Sequence, residues 1–404
     1  MTTTTQPDRR TTEPAPSPLV GWLAVVSVML GIFAIVTTEI LPIGLLTPIA
    51  STFHVSDGTA GLMMTMPGFL AAVAAPTLTI ATARVDRRLM LAVLMALLAL
   101  ANFLAAAAPG FWLVLVSRVM VGITIGGFWS IGAGLAERLV PATAVPRATA
   151  VIFTAVPLGS VLGVPAGTFI GDHAGWRTAF VAMGALTAVA LTLLLVLLPP
   201  LPARQATHLA VLRATVRGTD TRYGLAVTFL IVLAHFGTYT YVTPFLQQVT
   251  HLRPDTVTLF LLAYGTAGIL GNLLGGAFVA RHPRGTFAVA ATLLAAAALL
   301  LPVLGSDPAA ALVLLLAWGL AYGSVPVCSQ TWFVTSAPGA PEAASVVFTT
   351  SFQATLSLGA LVGGLVIDRT SPSTVMTLGG VTALLMVATA GIHRARRPGW
   401  STRP

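Results

Sequence analysis

Residues 19–50 read LVGWLAVVSVMLGIFAIVTTEILPIGLLTPIA, a stretch in which one side chain, Glu39, ionises. A run this long exceeds the ~20 apolar residues a helix needs to cross a bilayer. It is also too long for the core of a cleaved leader and has no small-residue cleavage site, so it reads as a retained first membrane helix. Further runs of the same kind follow, separated by short polar loops. The expected spans are 20–48, 59–81, 89–108, 111–135, 147–170, 177–198, 222–244, 256–280, 286–304, 309–332, 343–366 and 373–393.

Composition supports that reading. Charged residues make up 8% of the 404 positions, hydrophobic residues 56%, and the mean hydropathy is +0.90. A water-soluble chain of this length needs a polar shell that these residues cannot build. A porin-like barrel is excluded too, because its short strands alternate apolar and polar positions. The fold class expected is an all-α integral membrane protein of twelve transmembrane helices.

The net charge of +9 suggests a nucleic-acid partner until it is mapped. All 21 basic residues are arginine, and all but Arg118 fall between the apolar runs or at their ends, so no nucleic-acid partner is expected. With the N-terminus inside, seventeen arginines lie in cytoplasmic segments and three (Arg177, Arg253 and Arg369) in outer loops. That is a strong positive-inside bias, and it supports an even number of spans. Both termini are therefore expected in the cytoplasm, with the chain multi-pass in the inner (plasma) membrane. Trp22, Trp112, Trp176 and Trp332 fall near helix ends, where amphipathic rings favour the membrane interface.

Residues 1–18 are Thr- and Pro-rich without apolar period and read as a disordered cytoplasmic tail. The longest internal polar stretch, 199–221, divides the chain into bundles of six helices at 19–198 and 222–393, followed by a basic tail at 394–404. Two bundles joined by a basic linker is the layout of a transporter built from repeats, with its site at their interface. The lone Cys328 sits in an apolar run and reads as packing.

Few ionisable residues interrupt the spans, and each is costly in hydrocarbon, ~2.5–3.5 kcal/mol on the insertion scale. Glu39 lies ~15 Å from the outer end of the first span. Pro42 and Pro48 follow it and are expected to disturb the helix, freeing carbonyls beside the carboxylate. Its structural reading is a carboxylate locked to a neighbour; its functional reading is a proton switch that loads and releases as its surroundings alternate. Arg118 lies ~10 Å deep in the fourth span, near the depth of Glu39, which makes Glu39–Arg118 the leading ion-pair candidate. His235 lies ~20 Å into the seventh span and shares a helix face with Tyr239, with Tyr241 just beyond. It is either a satisfied core histidine or a substrate or proton contact.

Gly159, Gly163, Gly167 and Gly171 recur every fourth residue, and Gly122 and Gly126 repeat the spacing from Arg118. Such faces let helices approach closely, either as ordinary packing or as a rocking surface. The sequence holds no zinc-spaced Cys/His set, no Walker-type phosphate loop and no nucleophile triad. No enzyme activity, metal or cofactor is expected, and ATP has no site.

Four segments carry a family resemblance: TEILPIGLLTPIASTFHVSDGTAGLM (38–63), SRVMVGITIGGFWSIGAGLAERL (117–139), GSVLGVPAGTFIGDHAGWRTAF (159–180) and AHFGTYTYVTPF (234–245). Residues 20–395 resemble the major facilitator superfamily, in its twelve-span drug:proton antiporter group, and within it the bacterial sugar-efflux and arabinose-efflux permeases. The resemblance implies two pseudo-symmetric six-helix bundles around a cavity that opens alternately to each side. It implies a proton-transfer role for Arg118 with Gly122. Gly159, Gly163, Pro165 and Gly167 resemble a motif associated with exporters, although Val164 intervenes where proline usually follows the glycine directly. Thr79 and Ala83 stand where the family has glycine and aspartate, although Arg87 and Arg88 match. The function expected is proton-coupled efflux of a small organic solute, a sugar or a drug, by a monomer that draws on the proton gradient. Solute uptake on the same fold, or a non-transporting membrane receptor, are the alternatives. Proton coupling is assigned to Glu39, Arg118 and His235, and substrate contact to Phe128, Trp129, Tyr239 and Tyr241. Gly122, Gly126, Gly159, Gly163, Pro165 and Gly167 are assigned as the hinge and packing set.

Overall fold

A computed structural model describes residues 18–82, 84–132, 135–202, 209–279, 283–337 and 339–396. The expected tail at 1–18 lies outside these apart from Pro18; the loop position Ala83, part of the 199–221 stretch and most of the final tail lie outside them too. Among the described residues the chain is helical, with twelve helices long and apolar enough to cross a membrane. These are α1 (Pro18–Phe53), α2 (Leu62–Ala81), α3 (Arg87–Ala106), α4 (Phe111–Gly132), α5 (Val145–Ala174), α6 (Trp176–Leu197), α7 (Thr219–Tyr239), α8 (Pro254–Val279), α9 (Pro283–Leu304), α10 (Pro308–Gly323), α11 (Pro341–Ile367) and α12 (Pro372–Arg396). Short helices extend three of the spans: Asp57–Ala60 leads into α2, Val242–Gln248 follows α7, and Val325–Ser336 continues α10. A nine-residue helix, Leu209–Arg217, forms within the polar stretch between the halves.

The spans place themselves by hydrophobicity, and the side chains left outside them mark where lipid sits. Val93, Val189, Leu259, Val303 and Val381 are all strongly exposed on spanning helices, as a hydrocarbon surround permits. Two buried apolar clusters form the interior. One draws almost wholly on residues 24–201 and the other on 227–386; each takes a few members across the seam, Tyr241 in the first and Ile43, Met64 and Val164 in the second.

The disturbance expected at Pro42 and Pro48 stays local: α1 runs through both to Phe53, because a missing N–H removes one intrahelical bond that a neighbour can replace. Trp176 and Trp332 are buried in the protein. Their indole N–H groups donate to Thr52 Oγ1 (3.0 Å) and to the Asp220 carbonyl (3.1 Å).

Candidate functional site

Pro42 organises the centre of the molecule. Lacking an N–H, it cannot donate to the carbonyl four residues earlier, that of Thr38. Arg118 Nη1 fills the vacancy, donating to Thr38 O at 2.9 Å. Arg118 is fully buried, its guanidinium stands over the Phe180 ring at 5.2 Å, and its Nε and Nη2 have no hydrogen-bond partner. Asn102 Nδ2 donates to Thr38 Oγ1 at 3.2 Å. Thr38 is thus tied to α3 and α4 of its own bundle.

The next residue faces the other way, because one step along an α-helix turns ~100°. Glu39 is 8% exposed, and its Oε1 accepts from Gln353 Nε2 of α11 at 2.8 Å, across the seam between the bundles. The expected Glu39–Arg118 pair is therefore not a direct contact: no hydrogen bond joins the two, although each feels the other's charge. Equal depth in the membrane does not give equal direction around the helix, and the carbonyl freed by Pro42 competes for the guanidinium.

Opposite Glu39, α7, α8 and α10 supply a wall of rings. Trp318 Nε1 donates to His235 Nδ1 at 3.1 Å. Indole only donates, so His235 Nδ1 accepts and a neutral ring carries its proton on Nε2. His235 stacks on Tyr322 and on Tyr239 (5.0 Å), and Tyr239 stacks on Tyr264 (4.5 Å) with Trp318 edge-on. The Tyr322 hydroxyl lies within electrostatic reach of Glu39, and it is buried with no hydrogen-bond partner.

Of the residues assigned to substrate contact, Tyr239 joins this wall. Phe128 is buried against Gly31 of α1, and Trp129 packs near Phe153 (6.2 Å), so both serve the first bundle's interior. Tyr241 is fully buried and donates to the Ala360 carbonyl at 2.7 Å, its ring tip wedged against Gly61 and Gly364. It stoppers the seam near the Phe53 end. Around it, Asp368 of the second half accepts from Ser56 Oγ (2.7 Å) and from the Gly58 N–H (2.8 Å). Gln248 Nε2 donates to Asp57 (3.2 Å) and Thr243 Oγ1 to the Ile43 carbonyl (3.1 Å). That end of the seam is closed.

The glycine faces are helix contacts. Gly159, Gly163 and Gly167 of α5 lie against Val36, Thr37, Ile40 and Leu41 of α1; a Cβ on Gly167 would meet Leu41 O at 3.1 Å. Gly122 and Gly126 set α4 against the Pro67 and Ala71 carbonyls of α2. Helix α5 is unbroken at Pro165. At the other end, Arg87 Nη1 donates to Thr82 O (3.2 Å), Arg88 to the Leu195 carbonyl, and Asp86 accepts the Leu201 N–H (2.9 Å). Thr79 spends its hydroxyl on Ala75 O (2.6 Å).

Sequence reasoning missed Gln353, Asn102, Tyr264, Trp318 and Tyr322. An amide within an apolar span was a usable signal for the first two, since it too needs a partner in hydrocarbon. Nothing local distinguished the three rings.

Twelve spanning helices in two bundles, with a polar seam between them at mid-helix, define a membrane transport protein. The chain belongs to the Major Facilitator Superfamily, whose family model matches residues 23–354. It is 34% identical over 354 residues, 87% of this chain and 88% of the other, to the transcription regulatory protein OpdE of Pseudomonas aeruginosa. Among solved structures it superimposes on a bacterial homologue of the human lysosomal transporter Spinster, inward-facing and occupied, with TM-score 0.74, 16% identity and 97% and 100% of the two chains covered. The human organic anion transporter MFSD10 gives TM-score 0.67, 19% identity and 92% and 99% coverage.

Proposed function

We propose that this protein is a proton-coupled exporter of a small organic solute, a sugar or a drug, of the drug:proton antiporter group. It sits in the inner membrane with both termini cytoplasmic. The observation that carries the reading is the Glu39–Gln353 hydrogen bond at 2.8 Å, a carboxylate of one bundle held by the other. Protonation changes what that oxygen accepts, so a proton at Glu39 acts on the contact between bundles. In the cycle, solute from the cytoplasm displaces the proton from Glu39, the bundles rock outward, and reprotonation expels the solute. Alternation needs only different affinities in two states. Gln353, Tyr322 and Tyr239 are the solute contacts. Arg118 holds α1 and supplies positive potential, and His235 backs the ring wall. The test is Glu39→Gln in inverted vesicles with an acid interior. Wild-type protein dissipates the gradient when solute is added; the variant leaves it intact at every pH. A variant that still dissipates the gradient at wild-type rate overturns the reading, and uptake-linked acidification of cells favours a symporter instead.

The name of the OpdE relative favours a second reading, in which the protein acts on transcription. Moving an inducer across the membrane is enough to change transcription without any contact with DNA. A reporter gene that responds to the wild-type protein but not to Glu39→Gln supports this indirect route. A response that survives in the transport-dead variant supports a receptor.

A further inference from the structure

A slot of about 410 Å³ opens sideways between α8, α9 and α10, and Glu39 is not among the residues that line it. Its floor is formed by Gly271, Gly275, Leu320 and Ala321. The glycines keep it low: Gly271 lies against the backbone of Leu320, and a Cβ on Gly275 would meet Ser324 Cβ at 2.6 Å. The rim carries Leu274, Phe278 and Val289, exposed by 50%, 57% and 61%. Those rim residues continue the lipid-facing apolar surface of the spans without a break.

We propose that this slot holds one acyl chain of a bilayer phospholipid. Left empty, a slot of this size forfeits contacts along its walls, so it is filled in the membrane. The occupant is hydrocarbon because the walls offer almost nothing else. Ser324 Oγ is already committed to the Ala321 carbonyl at 2.8 Å, so a polar solute entering here exchanges its water for apolar walls and is penalised. An acyl chain loses no hydrogen bonds and reaches the exposed rim directly from the bilayer. The floor helix also carries Trp318 and Tyr322 on neighbouring turns, so the chain supports the back of the ring wall.

The test is photolabelling in vesicles of phosphatidylethanolamine and phosphatidylglycerol, doped with phosphatidylethanolamine bearing a diazirine in mid-chain. Peptide mapping is expected to show adducts on 271–278, 285–293 and 320–324 severalfold denser than on the exposed face of α6, around Val189 and Val196. Val289→Trp, a substitution at an exposed rim position, is expected to remove the excess while leaving the α6 adducts unchanged. Equal density on both faces, or an excess that Val289→Trp does not reduce, overturns the proposal. So does preferential labelling of the slot by a diazirine-bearing aromatic probe without an acyl chain, since the occupant is then a ring-shaped solute.

Discussion

Replacing Asp368 by alanine should open the seam at the Phe53 end. In the closed form its carboxylate accepts from Ser56 Oγ at 2.7 Å and from the Gly58 N–H at 2.8 Å, joining the two halves. Hydrogen bonds to a charged group contribute ~1.5–3 kcal/mol each when well shielded. Asp368 is exposed, so solvent screening brings the two together to about 1–2 kcal/mol. A loss of that size shifts the closed-to-open ratio about 5–30-fold. Gly58→Ala acts on the same contact by shape, because its Cβ would run into the Gly364 carbonyl and stand 2.5 Å from Asp368 Oδ2. Spin labels at His54 and Thr370, in a chain with Cys328 replaced by serine, report the opening through electron–electron distance distributions in lipid. Both variants are expected to gain a longer-distance population at the expense of the short one. Distributions that match the parent in both variants refute the reasoning, for then these bonds do not hold the halves together.

Arg118→Leu should destabilise the protein by about 1–3 kcal/mol through the orphaned Thr38 carbonyl, and Pro42→Ala, which restores the missing N–H, should shrink that penalty. A double-mutant cycle read by denaturant unfolding in detergent checks it; additive effects would show that Arg118 does not serve that carbonyl. Tyr322→Phe removes one buried, unpartnered hydroxyl, so thermal stability should stay the same or rise slightly while the solute's KM rises and the acid-gradient response weakens. Unchanged transport kinetics in vesicles would separate that hydroxyl from the site.

The fold was legible because hydropathy marks which segments leave water, and arginine placement then favours an even span number. Span ends were less legible: α1 passes Pro48 to reach Phe53, beyond the end expected at residue 48. At the site, Glu39 stood out as an acid in hydrocarbon, and Pro42 correctly implied a freed carbonyl. Which donor fills it was beyond reach, and so was the partner of Glu39, Gln353, 314 positions away. Depth along a helix can be counted from sequence, but direction around it depends on neighbours, which is why Arg118 and Glu39 matched in depth yet do not bond. Tyr241 and Phe128 were read as cavity residues because an aromatic ring in a span suits either a cavity or a packed interior. Their full burial puts them in the interior.

The arrangement of Thr38 and Glu39 separates two tasks that an ion pair would have merged. If Arg118 bonded Glu39 directly, each protonation would leave a buried cation without its partner, a change costly enough to resist cycling. Instead the cation rests on a backbone carbonyl, which does not titrate, and on the Phe180 ring. Its anchoring of α1 to α4 therefore survives whatever happens to the carboxylate one residue on. Glu39 is left with a neutral amide from the opposite bundle, a bond that survives or breaks with modest change on either side. In the proton-coupled cycle proposed above, the first bundle would stay assembled while its link to the second is exchanged, which is what rigid-body rocking demands of a residue at the seam.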